Sequence, residues 1–162
     1  GTGEAGYVGD GKPAQSALLG DPFMCAFDSQ GHLYVSDARN HTVRRVDYVS
    51  GVITTVVGNC GKGYSGDGGP ATSATFNQIY SIQVDTNGDI YVVDRLNAVV
   101  RRVDAATRLV ATVAGTGTAG VGTGGAVHGC ISPTPGSGSS YCIPAQMLRL
   151  LRVRNPDPHP LL

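Results

Sequence analysis

The chain has 162 residues, 41% of them hydrophobic, and its 12 Lys and Arg residues balance its 12 Asp and Glu residues. This length is typical of one globular domain. The zero net charge argues against capture of nucleic acid or of an anionic membrane by charge alone. No run of about 18 apolar residues is present, which predicts that nothing inserts into a bilayer. The opening GTGEAG lacks the basic and then apolar pattern of a signal peptide.

A repeat of 57 positions organises the first two thirds of the chain. Residues 1–58 align with 58–115 without a gap and share 24 identities. The identical positions include the run VRRVD, which stands at 43–47 and again at 100–104. A fixed period of this length predicts a repeat architecture, in which each copy is one small structural unit.

Each copy is predicted to form four short strands. In the first copy the strands are 23–28, 32–37, 42–47 and 52–57. They are rich in Val, Ile, Tyr and Phe, and Gly, Asn and Asp separate them at turns. The second copy repeats this order with IYSIQVD, DIYVVD, VVRRVD and LVATVA, and its Asn87-Gly88 is a strong hairpin signal. No helical periodicity appears up to residue 115, so an all-β fold is predicted.

Four antiparallel strands per unit, repeated in tandem, predict the blades of a β-propeller. One small sheet cannot bury both of its faces, whereas stacking it on neighbouring sheets around an axis does so. The connectors YVGDGKPAQSA at 7–17 and YSGDGGPATSA at 64–74 are interpreted as links from the outer strand of one blade to the inner strand of the next. Their glycines permit sharp backbone reversals.

The second copy, from GDGGPA through VDTNGDIYVVD, RLN and VVRRVD to LVATVAGTG, resembles the NHL repeat. The first copy carries the dipeptide Asn40-His41 from which that family takes its name. The resemblance covers about residues 1–117 and implies a β-propeller, commonly six-bladed, that acts as a binding platform. The second copy has Asn97-Ala98 instead, so the histidine is not needed for the fold.

We therefore predict one NHL blade at 1–57, a second at 58–114, and a diverged or truncated third blade or tail at 115–162. In the last segment MLRLLRV, at 147–153, fits either a strand or a short helix. Two blades leave apolar faces uncovered. A partial propeller of this kind is predicted to close by oligomerisation, with copies of the chain completing a ring, or to be a piece of a longer propeller.

The cysteines suggest one candidate disulfide. Cys130 and Cys142 flank a loop rich in Ser, Gly and Pro, and a disulfide there requires an oxidising compartment. This favours an extracellular or cell-surface location over a cytoplasmic one. Cys25, within PFMCAF, is interpreted as a small buried hydrophobe. No Cys and His spacing resembles a zinc site.

The candidate binding residues are paired arginines on equivalent strands, Arg44, Arg45, Arg101 and Arg102. Because neighbours in a strand point to opposite faces, one arginine of each pair can contribute to a basic stripe across adjacent blades. Such a stripe would hold an acidic protein or, as an alternative, an RNA backbone. The competing interpretation is ion pairing with aspartates between blades, at Asp37, Asp47, Asp94 or Asp104, which the zero net charge and the few aromatic residues favour.

Catalytic chemistry finds little support in the sequence. No nucleophile elbow, P-loop or dinucleotide fingerprint is present, and the predicted inner strands carry no His or acidic residue before Asp28 and Asp85. His41 stands alone in a turn, so no catalytic residue, metal ligand or cofactor is predicted. Asn40-His41-Thr42 also fits a glycosylation acceptor at Asn40.

The function expected from these observations is a non-catalytic NHL-type propeller module that mediates protein–protein interaction. One alternative is a propeller enzyme, a metal-dependent lyase or hydrolase-like protein, whose active residues lie outside this segment. The other alternative is an RNA-binding surface on the basic face.

Overall fold

The computed structural model describes residues 1–117, which form two antiparallel sheets. The strands of the first repeat are β1 (Lys12–Pro13), β2 (Pro22–Phe27), β3 (Leu33–Asp37), β4 (Thr42–Val46) and β5 (Val52–Val57). Those of the second repeat are β6 (Ile79–Val84), β7 (Ile90–Asp94), β8 (Val99–Val103) and β9 (Val110–Ala114). Short 3-10 turns span Ala14–Ser16, Ala71–Ser73 and Arg95–Asn97. The predicted all-β class is confirmed.

The two sheets have the same strand order and the same register. The first runs β1-β5-β4-β3-β2 and the second β6-β7-β8-β9. Tyr34 pairs with Arg45 in the first sheet, and Tyr91 pairs with Arg102 in the second. The register matches because each hairpin turns at an equivalent glycine, Gly31 with a φ of 84° and Gly88 with a φ of 87°. A positive φ at this position costs glycine little and other residues more.

The connectors do more than link the sheets. In the first repeat the connector forms β1, which adds a fifth strand beside β5 and was not predicted from the sequence. In the second repeat the same contact is reduced to an isolated bridge between Pro70 and Leu109. Each connector therefore pairs beside the outermost long strand of the same sheet whose first long strand it leads into.

The second sheet is buried much more deeply than the first. Tyr34, Val43 and Val57 of the first repeat pack in one hydrophobic cluster with the second repeat, whose members are Ala71, Ala74, Phe76, Ile79, Ile82, Val84, Ile90, Val92, Val103 and Val110. By contrast, every residue of β2 except Ala26 is exposed. The core thus lies on the side of the second sheet that the first sheet covers.

Among the described residues, no helix has the length and apolar character needed to cross a membrane. Cys130 and Cys142, and nearly all of the predicted segment 115–162, lie outside the described residues.

Candidate functional site

A groove of about 530 Å³ opens between the two repeats, at the edge where β2 and β6 begin and β3 and β7 end. Its lining comes from both repeats. The first contributes Gly20, Asp21, Arg39 and His41, and the second contributes Lys62, Asn77, Gln78 and Leu96. We call this cavity the inter-repeat groove.

A buried aspartate at the end of a strand holds each wall of the groove. Asp37, the last residue of β3, accepts hydrogen bonds from the Gly20 and Asp21 N–H groups at 3.0 and 3.1 Å, and from Asn40 Nδ2 at 2.8 Å. Asp94 accepts the equivalent bonds from the Asn77 N–H and Asn97 Nδ2, both at 2.8 Å. These carboxylates fix the loops, because both side chains are fully buried and hydrogen-bonded.

The burial of Asp94 opposes the ionisation of its carboxyl group. Burial raises the pKa of Asp94, and the hydrogen bonds from Asn97 and Asn77 and the charge of Arg101 counter only part of this effect. The Arg101 guanidinium lies 3.9 Å from the Asp94 carboxylate. Asn97 Nδ2 also donates to the Gly63 carbonyl at 2.7 Å, so one amide joins the strand end to the connector.

His41 connects the two walls of the groove. It adopts a φ of 58°, and its Nδ1 accepts a hydrogen bond from the Gln78 N–H at 3.0 Å. Burial and the nearby positive charge of Lys62 lower the pKa of His41, although Asp94 and Asp37 act in the opposite direction. The imidazole is therefore neutral at neutral pH, and its Nε2 carries the proton and can donate a hydrogen bond into the groove.

Three cations at this edge have no carboxylate partner. Within residues 1–117, Arg39, Lys62 and Arg95 form no ion pair. Arg95 instead donates to Gln78 Oε1 at 3.0 Å and stacks over the Tyr80 ring at 4.8 Å. Asp21 is the exposed carboxylate of the lining. The rim of the groove therefore carries an excess of positive charge that is accessible to a ligand.

Two of the predicted binding arginines lie inside the protein. Arg44 and Arg101 are fully buried, and each donates to an aspartate of its own connector, Asp10 at 2.6 Å and Asp67 at 2.7 Å. Burial works against ionisation of Asp67, but hydrogen bonds from Thr112 and Arg101 outweigh it and lower the Asp67 pKa. In this conformation neither guanidinium can contact a partner, and both tie a connector to its sheet.

The other two predicted arginines lie at the opposite edge of the sheets. Arg45 donates to Asp47 at 3.2 Å, and Arg102 is 2.6 Å from Asp89 and 2.9 Å from Asp104. The side-chain bond to Asp89 raises the pKa of Arg102. The four arginines are thus not brought together into one stripe, and each one is paired within its own repeat.

Asn40 uses its side chain to hold the fold. Its Nδ2 donates to the Gly6 carbonyl and to Asp37 Oδ2, both at 2.8 Å. A glycan on this nitrogen would replace one of its two hydrogens and so remove one of these hydrogen bonds. Within residues 1–117, no three His, Cys, Asp or Glu side chains lie close enough together to hold a metal ion.

The groove residues were not singled out from the sequence, although a signal for them was present. Gly20 becomes Asn77 in the second repeat, Asp21 becomes Gln78, and Arg39 becomes Leu96. His41 becomes Ala98, and Ala5 becomes Lys62. The differences between the copies therefore include every residue of the groove lining, and the fold brings these residues to one edge.

The comparisons with known proteins find similarity to parts of much longer chains. No model of a protein family matches the sequence. A stretch of 97 residues, 59% of this chain, is 29% identical to Protein SUPPRESSOR OF QUENCHING 1, chloroplastic, of Arabidopsis thaliana, of which it covers 9%. A crystal structure of a protein of unknown function from Bacteroides thetaiotaomicron is 25% identical with a TM-score of 0.52, and the match covers 62% of this chain and 24% of that one. The chain thus spans less than a tenth of the first protein and about a quarter of the second.

Proposed function

We propose that residues 1–114 are two blades of an NHL-type β-propeller that serves as a non-catalytic platform for a protein partner. The observation that carries this proposal is the division between the parts that repeat and the parts that differ. The recurring polar residues, such as the buried Arg44 and Arg101, hold connectors and strand ends. All eight residues that line the open groove stand at positions where the two repeats differ. This distribution suits a scaffold that presents a specific surface on a generic frame.

The uncovered face of the first sheet supports the propeller part of the proposal. Ile82, Val84, Ile90 and Val92 of the second sheet are all buried in the core. Their equivalents in the first sheet are Cys25, Phe27, Leu33 and Val35. Cys25, predicted to be buried, is exposed, and 63% of Phe27 is exposed. We infer that a further blade of the same type covers this face, as the first sheet covers the second.

We propose that in the isolated chain another copy supplies this further blade. Multi-angle light scattering at micromolar concentration should therefore report a mass of more than one chain. Phe27→Asp should shift the protein toward monomer, because a charge in an apolar interface is costly. Val49→Asp, at a turn residue with 89% exposure, is the control and should leave the mass unchanged. A well-folded wild-type monomer would contradict self-association.

The binding role is tested separately with a random-sequence peptide library displayed on phage. The purified chain should enrich peptides, and the enriched peptides should bind less tightly when Leu96, exposed in the groove lining, is changed to Ala. Tyr48→Ala, an exposed aromatic at the opposite edge, is the control. Failure to enrich any peptide would contradict a role as a peptide or protein platform.

A further inference from the structure

The inter-repeat groove combines unpaired cations with an exposed apolar side chain. The described residues pair Arg44, Arg45, Arg101 and Arg102 with aspartates. Arg39, Lys62 and Arg95 are the exceptions at the groove edge, and all three are exposed. Exposed cations without a carboxylate partner favour acidic ligands, and a guanidinium can bind a carboxylate in a bidentate geometry. The single exposed aspartate of the lining, Asp21, does not balance them.

Bulges in the strands place aromatic rings beside this edge. The register shifts between Pro22 and Met24 in β2, and at the equivalent place between Ile79 and Ser81 in β6. A bulge redirects the side chain of the extra residue. The two extra residues are Phe23 and Tyr80, and their ring centroids lie 3.7 Å apart. Half of the Leu96 side chain is also exposed, which adds an aliphatic contact to the lining.

The arrangement of these rings favours a peptide over RNA. Phe23 lies against Tyr80, and the Arg95 guanidinium covers the Tyr80 ring at 4.8 Å. Bases that bind without a duplex need open ring faces for stacking, along a groove with many cations. Here one face of each ring is taken by the other ring, and three cations stand at the groove edge, which fits a short run of carboxylates better than a phosphate backbone.

Polar groups in the groove are suited to the backbone of a peptide. The neutral His41 leaves its Nε2–H as a donor, since its Nδ1 already accepts the Gln78 N–H. Asp21 is exposed and can accept an N–H group. A ligand with both donors and acceptors along its length would use these two groups while its acidic side chains reach the cations.

We propose that the inter-repeat groove binds an extended acidic peptide segment, with its carboxylates on Arg39, Lys62 and Arg95 and an apolar side chain on Leu96. This rests on the proposed platform function and names its partner class. Charge complementarity of this kind sets specificity and association rate, and it predicts a strong dependence on salt.

The test is fluorescence anisotropy with a labelled peptide rich in Asp and Glu that carries one Leu. The wild-type chain should bind it, with affinity that falls as salt is raised. The double variant Arg39→Ala/Lys62→Ala should lose about tenfold or more, as expected for two charge contacts. Both residues are exposed, so the variant should fold, which its melting temperature checks. Lys12→Ala removes an exposed charge on β1 instead and should bind like the wild type.

The other outcomes overturn the proposal in distinguishable ways. If library peptides bind but the acidic peptide does not, the platform function stands and the acidic partner is wrong. The acidic partner is also wrong if Lys12→Ala weakens binding as much as the groove variant does. If single-stranded RNA of the same net charge binds more tightly and displaces the peptide, the site is a nucleic-acid site. If no peptide binds at all, both proposals fail.

Discussion

The two repeats contain the same buried arginine but surround it differently. Arg101 donates to the Ser65 and Thr75 carbonyls at 2.8 and 2.9 Å, and its guanidinium lies 4.4 Å from the Phe76 ring. Arg44 reaches the equivalent carbonyls only at 3.4 Å, where the hydrogen bonds are weak. Leu19 stands where the second repeat has Phe76. The same 57-residue plan thus produces one tightly closed copy and one looser copy.

The looser copy is also the one in which, within residues 1–117, no second sheet covers the face that carries the buried arginine. Five of the six residues in β2 are exposed, whereas β6 has three buried residues among its six. The difference teaches that the repeat sequence sets the framework of each sheet, while the neighbour of each sheet decides how well that framework is packed. Equivalent substitutions in the two repeats can therefore separate the two contributions.

The largest effect is expected at the buried arginines. Arg101→Met removes hydrogen bonds to Asp67 and to two carbonyls, and should lower the free energy of unfolding by about 3 kcal/mol. Arg44→Met should cost about 2 kcal/mol, since two of the hydrogen bonds that it removes are long and weak. Urea denaturation of both variants checks the order. Equal costs, or a larger cost for Arg44, would contradict the difference between the repeats.

A smaller effect of opposite sign is expected at the start of β4. In the part of the chain that the structure describes, the buried Thr42 hydroxyl has no hydrogen-bond partner, and the second repeat has Val99 at this position. Thr42→Val should raise the free energy of unfolding by about 1 kcal/mol, because it removes an unsatisfied polar atom. Val99→Thr is the matched exchange and should lower it by a similar amount. Thermal melts of the pair provide the measurement, and a destabilised Thr42→Val would count against an unpaired hydroxyl.

A second pair of matched substitutions, at the turn before the last strand of each repeat, should change the free energy of unfolding in opposite directions. Gly51 has a φ of 67°, and its equivalent Arg108 is held at 62°. Left-handed backbone costs a residue with a side chain about 1 kcal/mol, so Arg108→Gly should stabilise the protein by about 0.5 kcal/mol after the entropy cost of glycine. Gly51→Ala should destabilise it by about 1 kcal/mol. The left-handed φ is the source of this cost, because no atom lies within 4 Å of the added carbon. Denaturation midpoints that moved together would show that the turns are not equivalent.

The smallest expected effect is a loss of folding stability at low pH. Hydrogen bonds from the Ser50 N–H and hydroxyl lower the pKa of Asp47 from 3.8 to about 2. The equivalent bonds from Thr107 lower the pKa of Asp104. A depressed pKa contributes stability that is present above 3.8 and is lost as the pH falls toward 2. Asp47→Asn should therefore flatten the loss of stability between these values, and Asp104→Asn should do so as well. The free energy of unfolding is measured from urea denaturation at several pH values in this range. If the variants lose stability with falling pH as steeply as the wild type, these turns are not the cause.

Much of the framework could be predicted from the sequence. The predicted strand 52–57 matches β5, and the predicted strand 42–47 differs from β4 by a single residue. Such agreement is expected, because strand alternation and turn residues are local features of the sequence, and both copies contain them. The two-residue β1 was missed, since it contains Pro13 and depends on a distant strand for its pairing.

Equivalent roles filled by different residues were harder to predict. Asp89 Oδ1 accepts the Ala105 N–H at 2.8 Å, and in the first repeat His32 Nδ1 accepts the Tyr48 N–H at 3.0 Å. The His32 and Asp89 side chains differ in charge, so an alignment scores them as a mismatch. Only the positions of the acceptor atoms show that both hold the same turn.

The sequence by itself determined the period, the order of the strands and the residues that turn the chain between them. The tertiary structure decided which charges are buried and which remain open to a ligand. Arg44 meets Asp10 across 34 positions, and His41 meets Gln78 across 37. Contacts of this range depend on how one sheet sits on its connector and on its neighbour, which no local pattern specifies. For that reason the paired arginines stood out in the sequence, while the groove between the repeats emerged only from the fold.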